Sequence, residues 1–571
     1  MSYRRHTGAA LLALAGLLLP SASWARQNIA IGEISIGYDY QERNYDETEL
    51  APPLAGEAEG SAADVANGAS ADSAGAGDAP TATTNANGST DPAATLVRTP
   101  TLRNEREGDT RSLFVTPRLR VSSRGATDLV EFTYGPTFTW DDVDSSNNVG
   151  HDLNLLAEKS LSQRWQVQAT DSFYYGTDTL ADYERRSGAI LPVTEVVLPE
   201  AGVSPQEPVG QELTEDYGRR EYWRNDFGLQ TDYTYAPDSV VGAGYNFGLL
   251  RNVGDDIGGY DDYDRHEGIG RMSYRFNSRW RAETQLSYVK GTYDEATSFV
   301  GQQVTAEAEG AAPTTEIGNG TTGEEILETV ETEDLSDDLE EYHGRLRLNH
   351  DWSAQDMFFG EYSYSATKYE SPLNEDAAIH RLTAGWEHAF TSHLRLTLSA
   401  GPTFISYDES DNETGYNGFA GLEWQFLRSS LTASTAYDYE FENFDGRSSG
   451  LSKVWYSQLG YSYQFTPTLQ TNLTAGYKRN DREEPRDIRR LAAIESVASD
   501  GSDTGLTRDN DHFQYTDDTW EAGVRVSYTF LRWYTAAVSY RYSDFQSDYE
   551  RDYDEHRVLC TLTATSDIFR W

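Results

Sequence analysis

The residues best placed to do chemistry are charges that alternate with apolar neighbours. Arg118, Arg120, Arg224, Arg271, Arg275, Arg281, Arg345, Arg347, Arg381, Arg395, Arg525 and Arg541 sit in such runs. So do Glu131, Glu158, Asp226, Glu283, Glu361, Glu387, Glu423, Asp438, Glu440 and Glu521. In an extended chain, residues two apart share a face, so each charge points away from its apolar neighbours. The two signs nearly balance. Lone charges in a dry interior cost several kcal/mol each, so rows of this kind imply either a wet, polar lumen or a closed network of ion pairs. The sequence leaves both open.

Other chemistry is thin. His151, His266, His343, His350, His380, His388, His393, His512 and His556 follow no repeated spacing. His151-Asp152 could act as an acid/base pair, but no serine nucleophile motif accompanies it, so no catalytic residue is assigned and the chain reads as a non-enzyme. The acidic groups Asp408, Glu409, Asp411, Glu413 and Asp255, Asp256, Asp261, Asp262, Asp264 lack the spacing of a calcium loop and read as solvated acids. The single cysteine, Cys560, can form neither an internal disulfide nor a cysteine metal site, and no metal or cofactor is expected.

What must position the charges is a long series of strands. In 129–140, Val130, Phe132, Tyr134, Pro136, Phe138 and Trp140 oppose Glu131, Thr133, Gly135, Thr137 and Thr139. The same alternation holds in 394–405 and 518–530. It predicts strands near 29–40, 112–122, 129–140, 150–161, 165–175, 222–235, 240–251, 265–276, 280–293, 341–352, 357–369, 378–390, 394–406, 415–426, 430–441, 452–465, 469–479, 518–530, 533–544 and 556–567. These segments are too long for the strands of most soluble sandwiches or propellers. Short turns such as Ala236-Pro237-Asp238 and Thr466-Pro467-Thr468 separate alternate pairs; long connections over 41–111, 176–221, 294–340 and 480–517 fall between the others. Aromatic residues flank the short turns: Phe276 and Trp280, Trp352 and Phe358, Tyr463 and Phe465, Phe530 and Trp533. Alternating apolar strands, alternating link lengths and aromatic girdles together specify an all-β, transmembrane, antiparallel up-and-down barrel of about 20 strands, within roughly 18–22.

Composition agrees. Hydrophobic residues make up 38% of the 571 and mean hydropathy is -0.65, low values that suit strands with one polar face. Tyr supplies 37 residues against 3 Met, as expected where rings settle at a membrane boundary. The net charge of -47 excludes a nucleic-acid-binding role, which needs basic patches. Because the lumen charges nearly cancel, the excess belongs to the long acidic connections. Residues 1–25 read as a signal peptide, with Arg4 and Arg5, an apolar Ala9–Leu19 and a Ser23-Trp24-Ala25 cleavage site. The barrel then occupies 26–571, and 41–111 is a low-complexity first extracellular loop, whose 51–98 stretch has too few apolar side chains to order itself. At the far end Val558, Cys560, Leu562 and Ala564 are in phase while Phe569 and Trp571 are not, which predicts a bulge or strand end near Ser566. Asp171 falls on the apolar face of 165–175, against the pattern.

Asp152-Leu153-Asn154-Leu155 leading into Gln163-Arg164-Trp165, Tyr235-Ala236-Pro237-Asp238-Ser239 and the terminal Arg570-Trp571 resemble the porin 2 type of bacterial outer-membrane β-barrel. The resemblance covers most of 111–571 and consists of hairpins rather than a fixed motif. It implies an outer-membrane porin or export conduit for hydrophilic solutes, polysaccharide among them, with polysaccharide-export proteins as partners. Outer-membrane lipid and lipopolysaccharide would surround it. Phe569 and Trp571 would serve as the signal read by the barrel-assembly machinery. A closed structural or surface-interaction barrel with acidic loops is the competing reading. With both termini periplasmic, the short turns face inward. A cysteine introduced at Asp238 should therefore escape an impermeant label on intact cells, while external protease cuts within 294–340; labelling at 238 would reverse the orientation.

Overall fold

The computed structural model describes residues 27–45, 108–141, 147–177, 221–253, 262–293, 338–370, 375–408, 410–441, 443, 451–482, 515–548 and 552–570. The leader, most of 41–111, the bulk of the other long connections and Trp571 lie outside the described residues. Twenty strands run in order. They are β1 (Gln27–Tyr45), β2 (Gly108–Arg124), β3 (Asp128–Asp141), β4 (Asn147–Ser162), β5 (Trp165–Thr177), β6 (Glu221–Ala236) and β7 (Ser239–Asn252). Next come β8 (Tyr263–Arg275), β9 (Trp280–Tyr293), β10 (Leu339–Asp351), β11 (Asp356–Tyr369), β12 (Ala377–Thr391), β13 (Leu394–Tyr407) and β14 (Glu413–Gln425). The ring ends with β15 (Ser429–Phe441), β16 (Leu451–Thr466), β17 (Leu469–Arg482), β18 (Tyr515–Phe530), β19 (Tyr534–Ser547) and β20 (Tyr553–Arg570).

Each strand pairs antiparallel with the next, and β1 pairs with β20, so one sheet closes on itself. Closure leaves no edge, which is what lets a sheet sit in hydrocarbon. Some strands, β1, β2 and β20 among them, extend three to five residues further than alternation alone indicates toward the end that carries the long connections, while β9 and β11 end there as expected. β1 reaches Tyr45 and β2 starts at Gly108, so the flanks of the 41–111 segment are strand rather than loop. All strands hold at least 13 residues, more than the 9–11 or so a membrane requires.

The outer face carries the apolar rows. Ile34, Leu119, Val241, Leu286, Leu346, Leu382, Leu459 and Val538 are all exposed there, side chains that water would penalise and lipid accepts. At the short-turn end, rings pack edge to edge in a girdle: Tyr274 with Phe276, Trp352 with Phe358, His388 with Phe390, Tyr463 with Phe465. The bulge expected near Ser566 is present two residues on. Ala30 pairs with Phe569 and Ile31 with Asp567, so Ile568 is the extra residue.

Two places interrupt the ladder. Between β2 and β3, pairing stops after Val115–Phe138 and resumes at Leu119–Tyr134, across Pro117 and Pro136. Between β12 and β13 it skips from Arg381–Thr403 to Ala384–Ala400, across Gly401 and Pro402. Proline supplies no ladder N–H, and here it sits in the middle of a sheet. A Cβ on Gly401 would collide with the Leu382 carbonyl, so glycine is required for the close approach. Gly401→Val should cost about 1–3 kcal/mol or prevent folding. Gly360→Ala, where a Cβ meets nothing within 4 Å, should leave the urea midpoint of the barrel unchanged; equal effects of the two substitutions would refute this account.

Candidate functional site

The inner wall is where the alternating charges collect, and it divides into sectors. Across β2–β4, Arg120 pairs with Glu131 and Arg118 with Asp152 at 3.8 Å. Ile31, Glu33, Arg118, Arg120, Glu131, Thr133 and Thr565 bound a recess of about 350 Å³ there. Across β6–β9, Arg224 pairs with Asp226 at 2.7 Å, and Arg271 donates through Nε to Asp232 at 2.9 Å. Arg275 reaches Asp238 at 2.6 Å and Asp351 at 3.9 Å, and Arg281 reaches Glu283 at 2.8 Å. The arginines of this sector keep about two-fifths of their side chains exposed (Arg281, 40%), and Arg120 keeps 53%, so these pairs face solvent. Exposed pairs of this kind contribute little stability, and the solvent they face is the lumen.

The sector over β9–β13 is different. Arg347 is 5% exposed. Its Nε donates to Asn349 Oδ1 at 2.8 Å, and its head lies 3.7 Å over the Phe359 ring. It pairs with Glu387 at 3.3 Å and Glu361 at 3.7 Å, while Arg345 holds Glu361 at 2.7 Å and Asn349 donates to Glu283. Arg395 stands opposite Glu423 in register. Arg381 crosses from β12 to Asp438 of β15 at 2.7 Å and also donates to the Tyr439 carbonyl. Across the ring, Glu521, Arg525 and Arg541 stand opposite Gly476, Asn472 and Gly523. That wall also holds the Arg482–Asp517 pair at 3.1 Å, and much of the rest of its polar face is small or amide, as at Gln458, Ser462, Gln470, Asn472, Thr474 and Ser539.

Sequence reasoning missed three groups. The seam between first and last strands is locked by Arg557, which forks onto Asp39 at 2.8 and 2.6 Å, and by Arg43, which pairs with Glu555 at 2.6 Å. The expected strand ends at 40 and 556 hid Arg43 and Glu555; alternation continued past both ends was the signal. Two layers of buried apolar side chains line the long-connection end. One gathers Tyr174, Tyr222, Leu250, Tyr263, Tyr293 and Leu339; the other Ala377, Ile379, Ile405, Tyr407, Tyr439 and Leu451. Upper β15 stops pairing with β14 beyond Gly418–Tyr437, which frees Tyr439 to join the second layer. Asn443, in the connection after β15, is buried between them. It donates to Glu341 at 2.7 Å, and its amide oxygen accepts from Tyr369 at 3.0 Å while its carbonyl accepts from Tyr293. No sequence signal marks a loop asparagine that reaches across to β9–β11.

The histidines serve the barrel wall. His151, His266, His380 and His556 each hydrogen-bond a tyrosine two positions along the neighbouring strand: Tyr134, Tyr245, Tyr362 and Tyr540, at 2.7–3.0 Å. All four lie on the outer face near the long-connection end, where a ring and hydroxyl can bridge lipid and water. Asp262 and Asp264 hold Asn252 and Arg251. Among the described residues no group of three metal-ligating side chains converges.

The chain is a closed transmembrane β-barrel with a charged, sectored interior. No family model matches it, and no curated protein does. Among solved structures it is similar to the siderophore receptor PirA from Pseudomonas aeruginosa, at 8% identity and a TM-score of 0.42, over 94% of this chain and 80% of that one. It is similar to OpdO of the same organism at 10% identity and 0.35, over 95% and 98%. With the FrpB iron transporter of Neisseria meningitidis the values are 9% and 0.45, over 79% and 80%. The likeness is one of barrel shape, and the functional reading rests on this chain's own residues.

The seam can be tested directly. Arg557→Leu or Asp39→Leu alone strands a buried charge and should cost about 3–5 kcal/mol in urea unfolding from vesicles. The two together should recover most of that loss; an additive double variant would show that the pair does not act as a unit.

Proposed function

We propose that the protein is an outer-membrane channel for hydrophilic solutes, with both termini periplasmic and the long acidic connections outside. One observation carries this reading: arginines of the ion pairs on β2–β3 and β6–β9 keep about two-fifths to a half of their side chains exposed on the inner wall, which supports a wet interior there. Arginine and carboxylate heads offer a polar solute donors and acceptors along its path, and the Gly, Ser, Thr and Gln wall opposite leaves it room. The narrow part is the long-connection end, where the tyrosine layers and Asn443 project inward. The likeness of its hairpins to the porin 2 type supports an exported polysaccharide among the solutes and export proteins as partners. The exposed Phe569 supports recognition by the assembly machinery.

The closed-barrel alternative draws on the dry Arg347 network and on the same tyrosine layers. Single-channel recording in planar bilayers separates the two. The full-length protein should conduct. Asn443→Gly, which releases the bridge to Glu341 and Tyr369, should raise the conductance. Cation preference should come from the acidic mouth and fade above roughly 0.1–0.15 M salt. A protein that never conducts, with or without Asn443, is a closed barrel.

A further inference from the structure

Asp171 contradicts the pattern of its own strand, and the structure gives it a partner without removing the problem. It is the central residue of the 13-residue β5, on the outward row that also carries Trp165, Val167 and Phe173. Six residues from either strand end, at about 3.3 Å each and a tilt near 40°, put it about 15 Å from each end of the strand, near the middle of an apolar band roughly 25 Å tall. Asn225 Nδ2 donates to its carboxylate at 2.9 Å from the outward row of β6, between Trp223 and Phe227. Asn225 also contacts the Ser172 carbonyl at 3.2 Å. A carboxyl and an amide side by side at mid-depth face hydrocarbon, which has no hydrogen-bonding group for either.

A second anomaly lies at the same depth. β8 also has 13 residues, and Gly268 and Gly270 flank its centre on the outward row. A Cβ built on either meets nothing within 4 Å. Beside them stand exposed Tyr245, Tyr288 and Leu286, so the glycines floor a trough in the lipid face. Glycine inside a strand is costly in entropy and supplies no packing, and a pair of them side by side, unlike the single Gly360 of β11, leaves room for another backbone to come close. β5 and β8 are three strands apart, about 14 Å at the usual spacing.

We propose that this face binds a second copy of the chain, about a two-fold axis parallel to the membrane normal that passes near β7. Copies inserted in the same direction can join only features at equal depth, and the polar pair and the glycine trough are both at strand centres. A two-fold contact is reciprocal, so the Asp171–Asn225 pair of each copy lies over the trough of the other. The bare glycines let the strand approach closely, and their Cα–H groups are the donors available to a carboxyl in hydrocarbon.

The test uses the full-length protein in bilayer nanodiscs or mild detergent, read by native mass spectrometry and by oxidative cross-linking in a Cys560→Ser background. Native protein should be dimeric. Asp171→Leu with Asn225→Leu, or Gly270→Leu alone, should raise the dimer dissociation constant by about tenfold or more. These lipid-facing changes should leave the heat-modifiable gel shift of the folded barrel intact. Asp171→Cys combined with Gly268→Cys should cross-link two copies, because within one copy the two sites are too far apart to bridge. Each cysteine alone should not. Four results overturn the proposal: a monomer at all concentrations, a dimer indifferent to these substitutions, cross-linking by Asp171→Cys alone, or a different protein bound at the face.

Discussion

Every backbone N–H and C=O within the bilayer must find a partner in the protein, because hydrocarbon supplies none. For a sheet this means closure, and closure depends on one pairing, that of β1 with β20. All the other ladders join strands adjacent in sequence. This one joins the two ends of the chain, and it holds the most completely buried ion pairs of the inner wall, Arg557 with Asp39 and Arg43 with Glu555. A buried pair gives modest net stability, yet it penalises every register that separates the two charges. A one-residue slip of β20 along β1 would turn Arg557 and Glu555 toward lipid and leave Asp39 and Arg43 facing inward without them.

The interior combines two ways of handling charge. Within β10–β12 the charges are enclosed, with Arg347 held by Asn349, Glu361, Glu387 and the face of Phe359. Over β2–β3 and β6–β9 the pairs remain partly exposed, and the wall of β16–β19 adds Glu521, Arg525, Arg541 and the Arg482–Asp517 pair among small and amide side chains. The dry sector stiffens the wall, and the wet sectors give the lumen its polarity. A uniformly saturated network would fill the interior; a uniformly hydrated one would leave the wall without internal support.

Much of this was legible beforehand because a period of two is a strong constraint. A strand with one face in lipid repeats its apolar residues without relief, so strand number, connectivity, girdle and the row of each charge could be read directly. Glu131 and Arg120 follow from alternation alone. Which charge meets which depends on stagger between strands, and single-chain alternation carries no information on that; Asp232, Asp152 and Asp39 lie in the polar phase of their expected strands, but nothing in the sequence pairs them with Arg271, Arg118 and Arg557. The pattern also misled at the long-connection end. There Tyr222, Tyr263, Leu339 and Ile379 are apolar on the inward face, where they pack against apolar side chains of neighbouring strands. Asp171 was visible as a violation from the start, but its partner Asn225 lies on the far side of a long connection.

The two interrupted ladders stand ten strands apart in a ring of twenty, at β2/β3 and β12/β13. Such opposite points are corners about which a ring can flatten along one diameter and lengthen along the other, and the separation of upper β14 from β15 adds a further gap close to the second. A small opening at either corner, Pro117/Pro136 or Gly401/Pro402, would move the charged sector of β6–β9 relative to the wall of β16–β19.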